Sequence, residues 1–361
     1  MNFFPKIKTA LNWLASGHII FWSMPWLMIL VVAGTITQKE MGLYDAVRTY
    51  ISSFIFWLGP VPLPGGLSMI ALIFLSLVIN FLFFSPWSLR KSGIHMTHLG
   101  VILLLLGGLV TAVSAKEGFM IIPEGDTVGT MSDYQKRVLI ISKDNHVLQE
   151  ISFDTLHKDQ IITVDDIELK LLNICENCGA QAPSGHYKNL KGLAENMELT
   201  TLPSDKNPEA NFSGLTLEIT KSPDKTDQGT YILMEDIPKT PDIDGMEISL
   251  TRKAMPLPFA VQLTDFRKID YPGTRKAQEY ESDIIIQDGS LSWPATISMN
   301  KPYRYKGYTF YQSSFEQTEQ MELTVLNVVK NQGRFFPYIS SLVIFLGLMS
   351  HLVIRFKEGK K

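Results

Sequence analysis

Seven histidines and two cysteines are the side chains whose types and spacing could do chemistry in this chain. His95 and His98 stand three apart at the start of one apolar run, so on a helix they share a face. His351 lies near the far end of another apolar run, and His18 lies just before a third. At about 1.5 Å per residue, His98 and His351 each sit only a turn or so inside a bilayer. An ionisable group there is a functional candidate, and imidazole is a standard axial ligand for haem iron. The same shallow positions also suit a histidine that reaches the headgroups or bonds a neighbouring carbonyl. Gly100, Gly107 and Gly108, beyond His98, allow close helix approach or a flat ligand.

The two cysteines form one Cys-x-x-Cys pair, Cys175-Glu176-Asn177-Cys178. Such a pair can cycle between dithiol and disulfide. It is not a c-type haem attachment site, because Gly179 stands where that motif needs histidine. Zinc wants four ligands and only His186 is near, so a metal site is the least supported reading. Outside the cytoplasm the pair reads either as a small disulfide staple or as a redox-exchange site. His146, His157 and His186 read as surface residues. No nucleotide-binding loop, zinc-protease motif or nucleophile elbow occurs, so no catalytic residue is named. A net charge of −3 gives no argument for nucleic acid.

The elements that must position these residues follow from the apolar pattern. Residues 19–38, 67–86, 95–114 and 336–354 each have the length and composition of a membrane span. Pro25 is expected to kink the first or mark an early turn of it. Lys6 and Lys8, Arg90 and Lys91, and Arg355, Lys357, Lys360 and Lys361 flank the spans. By the positive-inside rule both termini are then cytoplasmic and residues 115–335 lie outside. The first external loop, 39–66, holds an aromatic run from Tyr44 to Leu58 with helical spacing. It reads as an interfacial helix, ended by Pro60, Pro62, Pro64, Gly65 and Gly66.

The region between the third and fourth spans alternates apolar and polar residues, as at 138–144, 146–153, 161–174, 214–220 and 229–236. The pattern returns at 246–251, 259–266, 282–289, 307–315 and 321–329. Many short strands with Gly, Pro, Asn and Asp between them predict an antiparallel, sandwich-like domain. Residues 175–212 lack this pattern and read as a long excursion, with one helix expected near 187–198. The domain reading is therefore 1–114 for three spans and the interfacial loop, 115–335 for an external β domain, and 336–361 for the last span and a basic tail.

Two segments of the external region carry a resemblance. LPFAVQLTDFRKIDYPGTRKAQEYESD (257–283) and WPATISMNKPYRYKGYTFYQSSF (293–315) resemble the ResB/CcsB family of system II cytochrome c biogenesis. GTITQKEMGLY (34–44), WLGPVPLPGG and SGIHMTHLGVILLLLGGLVTA (92–112) are similar to the family's first span exit, external loop and third span. The resemblance implies a bacterial cytoplasmic-membrane protein acting with a CcsA/ResC-type multi-span partner. Together they would carry haem b outward and attach it to apocytochrome c, this chain being non-catalytic alone. It also implies that a histidine of the third span ligates haem opposite one from the partner. His98 is the position that carries over, His95 the fallback and His351 a looser match, with no metal beyond haem iron. Cys175 and Cys178 match no family motif. They leave open a part in thiol chemistry with a thioredoxin-like reductant. A scaffold that docks apocytochrome c or such a reductant without binding haem is the alternative.

Overall fold

The computed structural model describes residues 11–144, 146–206, 210–235, 243–274, 276–317 and 322–358. Lys6, Lys8, Lys360 and Lys361, and the strand ends expected at Glu235–Asp236 and Met321, lie partly or wholly outside them. The chain divides into two compact units. One holds the described residues up to Lys116 and from Lys330 onward, and the other holds Glu117–Val329.

In the first unit, four helices are long and apolar enough to cross a membrane. They are α1 (Gly17–Met41), α2 (Gly66–Ile79, continued to Phe84 by a π-turn), α3 (Ser92–Ser114) and α4 (Phe336–Glu358). Between 11% and 22% of each apolar stretch is buried within the chain. The rest offers an apolar surface of the kind lipid or neighbouring helices cover. Pro25 sits inside α1, whose Trp26 indole N–H donates to the Pro64 carbonyl at 2.9 Å.

The interfacial helix expected over 44–58 is only partly present. Helical structure runs from Leu43 and closes in a π-turn at Ile51. The chain then forms a hairpin of β1 (Ile55–Leu58) and β2 (Val61–Pro64), with Leu58 opposite Val61. Gly59, at φ 61°, makes the turn that a helix through Leu58 would forbid. Ile55, Trp57, Leu58 and Val61 stay exposed, so the aromatic character foreseen for this loop is kept on a different element.

The second unit is antiparallel β. Its strands are β3 (Lys116–Pro123), β4 (Thr127–Lys143), β5 (His146–Ser152), β6 (Ile161–Val164), β7 (Ile167–Cys175), β8 (Cys178–Gln181), β9 (Glu198–Thr201) and β10 (Gly214–Lys221). There follow β11 (Gly229–Met234), β12 (Met246–Asp270), β13 (Ala277–Asp288), β14 (Leu291–Ser298), β15 (Tyr303–Tyr305), β16 (Tyr308–Gln317) and β17 (Glu322–Lys330). A four-stranded sheet, β11-β10-β7-β6, faces part of a nine-stranded one ordered β14-β13-β12-β4-β3-β17-β16-β15, with β5 added beside β4. Leu139, Ile141, Leu171, Leu217 and Ile248 fill the sandwich between them. At the other end the large sheet curls around a second core that includes Ile122, Val261, Ile286, Phe310 and Val328. Its two extremes meet again there, where the Trp293 indole donates to the Tyr303 hydroxyl at 2.8 Å and Ser298 bridges Lys301.

β4 and β12 run through both cores. The expected strands 246–251 and 259–266 are therefore one strand of 25 residues. Its pairing with β4 shifts register between Arg252 and Ala254 and again between Pro256 and Val261. Pro256 and Pro258 carry no N–H for the ladder, so the strand bends where it passes from one core to the other. Conversely, the expected strand 161–174 is split into β6 and β7 by a tight turn at Asp165, φ 50°, a conformation aspartate tolerates. The helix expected near 187–198 is a single 3-10 turn, Gly192–Glu195. Asn189 and Gly192 have φ of 50° and 58°, left-handed residues that a helix cannot pass through.

Candidate functional site

α3 and α4 meet along a seam made of small residues. Gly93, Gly100 and Gly107 recur every seven positions, the spacing that keeps one stripe of a helix against a left-handed crossing partner. A methyl on Gly93 would drive into the His351 backbone nitrogen, and one on Gly107 into the Phe336 side chain. On Gly100 it would lie 2.5 Å from Ile344 Cγ1. Across the seam, a methyl on Gly347 would lie 2.7 Å from the Thr97 nitrogen. Gly107 thus serves the close approach foreseen for it, whereas Gly108 meets nothing within 4 Å. The Thr111 hydroxyl donates to Asn331 Oδ1 at 3.1 Å, which fixes the end of the seam near the start of α4.

The three sequence-predicted histidines fall into different surroundings. His95 is buried, with Nδ1 3.3 Å from the Ser85 hydroxyl and Nε2 3.1 Å from the Pro86 carbonyl. Its ring stacks on Trp87 at 4.9 Å and meets the edge of Phe81. Both ring nitrogens are therefore engaged in shaping the loop between α2 and α3. His351 lies on the seam at the level of Gly93, and its Nδ1 is buried with no hydrogen-bond partner among the described residues. His98 also has a buried Nδ1 with no partner among them. Five residues past Gly93, it is turned about 140° away from the seam. His98 and His351 thus belong to different faces of the α3–α4 pair. His18 is exposed.

This arrangement fits a haem ligand set in a restricted way. His98 offers one half-buried imidazole whose Nδ1 has no hydrogen-bond partner among the described residues. The other histidine of its face, His95, is already bonded at both nitrogens. Among the described residues, no group of three or more His, Cys, Asp or Glu is placed to hold a metal. Of the two histidines on that face, His98 is the one with a ring nitrogen left without a hydrogen-bond partner among the described residues.

In the β unit, Cys175 and Cys178 are joined by a disulfide, with Cα atoms 5.5 Å apart. Both are buried in a small cluster with Ala194, Leu199 and Ile232. His146, His157 and His186 are exposed, as foreseen. A group that the sequence did not reveal lies close to the disulfide. The Glu235 carboxylate is fully buried between Arg137 Nε, at 2.7 Å, and Arg252 Nε. Arg137 and Arg252 are register partners on β4 and β12, at the bend between the two cores. Only their cross-strand pairing, invisible in sequence, brings them together.

The curled end carries a second charged group. Arg267 reaches Asp265 at 2.5 Å, Glu281 at 3.1 Å and Asp283. Hydrogen bonds from Arg267, and then from Thr296, hold the Asp283 carboxyl below the usual carboxylate range. The Tyr305 phenol is pushed up to about 12 by its hydrogen bond to Asp288. The pairs Arg267–Glu281 and Arg267–Asp283 join β12 to β13, and Glu281 and Asp283 belong to the YESD segment singled out in the sequence.

Residues 237–337 match the model of the ResB-like family. The chain is also 25% identical over 267 residues to Protein NrfI of Wolinella succinogenes, covering 71% of this chain and 27% of that protein. It therefore spans only about a quarter of the length of that relative. The segments 257–283 and 293–315 both lie inside the matched region, so the chain is similar to the ResB-like family there, and four of its helices are long and apolar enough to cross a membrane.

Proposed function

We propose that the chain serves cytochrome c biogenesis as a haem-handling membrane subunit that is incomplete by itself. The observation that carries this reading is His98, an imidazole near the end of a membrane helix, turned away from the α3–α4 seam, with an unpartnered buried Nδ1. Haem, when bound, supplies an iron that accepts an axial imidazole nitrogen. His98 would hold the haem from this chain, together with a CcsA/ResC-type multi-span partner. Ligation shared between two proteins is weak enough to release haem for attachment to apocytochrome c. Gly93, Gly100 and Gly107 hold α3 rigidly against α4, which fixes the height of His98 in the bilayer. Arg90, Lys91, Arg355 and Lys357 gather at the ends of α3 and α4 that carry His98 and His351, and by the positive-inside rule this supports a cytoplasmic side for those ends. The β unit then lies outside, where apocytochrome c is met.

The test is the visible spectrum of the complex purified with its multi-span partner. His98→Ala is expected to abolish or shift the Soret band, with recovery on adding imidazole, while His95→Ala alters the protein's folding yield rather than the band. An unchanged spectrum in His98→Ala would remove this chain from the haem path and leave a docking scaffold.

A further inference from the structure

The disulfide and the buried charge group are the two ends of one connected strip. Cys175 ends β7 and is the register partner of Gly214 in β10. The Cys178 amide donates to the Phe212 carbonyl at 2.8 Å, and a methyl on Gly214 would lie 2.9 Å from Cys178 Sγ. Residues 211–214 therefore lie directly on the disulfide loop. The same residues hold Glu235. The Ser213 hydroxyl donates to the Glu176 carbonyl at 3.0 Å, and the Ser213 amide points at Glu235 Oε2 at 3.4 Å. The Glu235 amide returns a bond to the Ser213 carbonyl at 2.9 Å, and Arg137 Nη2 donates to the Asn211 carbonyl at 3.0 Å. Glu235 in turn clamps Arg137 and Arg252, where β4 and β12 bend into the core to which the ResB-like segment contributes Val261, Ile286 and Phe310.

We propose that Cys175–Cys178 is an exchangeable disulfide whose state sets the rigidity of the β4–β12 bend. Its reductant class is a vicinal dithiol. The bond is buried, yet it lies under a turn of two residues whose Glu176 is exposed, so local opening of that turn is enough to admit a thiolate. It closes a very small ring, so it adds little to global stability by restricting the unfolded chain. Its main effect is to pin the 175–178 turn against residues 212–214. In the exchange, a thiolate of the reductant attacks one sulfur and the other leaves as a thiolate. The reductant's second thiol then resolves the mixed disulfide. Two electrons and two protons pass to Cys175 and Cys178, and the reductant ends as its own disulfide. Loss of the bond loosens the 175–178 turn, Ser213 loses its fixed partner at Glu176, and the Glu235 carboxylate loses one wall of its burial. A buried carboxylate between two arginines depends on such fixed surroundings, so the bend becomes mobile while both apolar cores persist.

The experiment uses the full chain in lipid nanodiscs, treated with dithiothreitol as the dithiol, under native conditions. Maleimide labelling counts the thiols released, and hydrogen exchange follows the peptides. Reduction is expected to raise exchange about tenfold or more in residues 211–214 and around Arg137 and Arg252, leaving Val261 and Ile286 in the curled core protected. Cys175→Ser with Cys178→Ser should reproduce this without reductant. Ser213→Ala should have raised exchange around Arg137 even when oxidised, with little further change on reduction. A disulfide that survives excess dithiol until the whole domain unfolds would overturn the proposal. So would reduction whose effect stays within residues 175–202, or undiminished transmission in Ser213→Ala. None of these readings depends on haem.

Discussion

The α3–α4 seam and the curled core of the β unit are both closely packed, but by opposite means. Along the seam the contact exists because side chains are missing: Gly93, Gly100 and Gly347 let backbone approach backbone, and Gly107 makes room for the Phe336 side chain. In the curled core it exists because large side chains are present, with Phe310 fully buried and Phe259 set edge-on to Tyr305, Tyr308 and Phe310. Water explains the difference. In the β unit the transfer of apolar surface from water drives packing, so size is rewarded. Between membrane helices lipid is as apolar as leucine, so only close fit and a few hydrogen bonds favour one contact over another. The seam consequently leaves most of each helix uncovered within the chain, whereas the β unit closes on itself.

The sharpest way to break the comparison is to enlarge the seam. Gly93→Leu places a branched side chain against the His351 backbone, which has no rotamer by which to yield. Overpacking a close contact costs about 1–3 kcal/mol when side chains can shift, and here backbone must move. The expected result is loss of the α3–α4 contact, read in lipid nanodiscs as raised hydrogen exchange along residues 93–107 and 336–351. If exchange there is unchanged in the Leu variant, the seam is not what holds these helices.

The complementary change removes bulk from the β unit. Phe310→Ala empties a fully buried position, and large-to-small aromatic changes in cores cost about 3–5 kcal/mol. The β unit should unfold at a markedly lower denaturant concentration, while residues 93–107 and 336–351 keep their protection from hydrogen exchange. A loss of both together would show that the two units do not fold independently, contrary to their separate interiors.

What the sequence made legible divides along the same line. The four helices were readable because about 20 successive apolar residues have few other uses. Most strands were readable from alternation. The merging of 246–251 with 259–266 was not, because Pro256 and Pro258 look like an end when they mark a bend. Nor was the 55–64 hairpin, whose aromatic residues fit a helix period as well as an exposed strand. Among the site residues, His95, His98 and His351 were found by type and depth. Their separation into a loop-shaping residue, an outward imidazole and a seam residue needed the partner helix. Gly93 could have been found from the seven-residue recurrence of 93, 100 and 107. Glu235 with Arg137 and Arg252 had no signal, since three scattered charges become a group only through the register of β4 with β12.

The smallest expected effect concerns charge rather than packing, and it probes the part of the β unit that resembles the seam in depending on specific contacts. Arg267 ties β12 to β13 through Asp283, whose carboxyl is held below its ordinary range. A carboxylate with a lowered folded-state value adds stability that is complete above its unfolded value, about 4 for aspartate. That contribution is lost as pH falls through the lower, folded-state value. Arg267 is 42% exposed and Asp283 31%, so solvent screens the pair and its worth is at most about 1 kcal/mol. Asp283→Asn should therefore lower the thermal midpoint of the external domain slightly at neutral pH. The gap from the parent should narrow below about pH 4 and close in stronger acid. It should also shrink in high salt, because the pair is reached by counterions, whereas the deficit of Phe310→Ala should not. A gap that widens in acid would mean that Asp283 matters through its bond from Thr296 or its backbone position, and that the Arg267 pair does not set the join between β12 and β13.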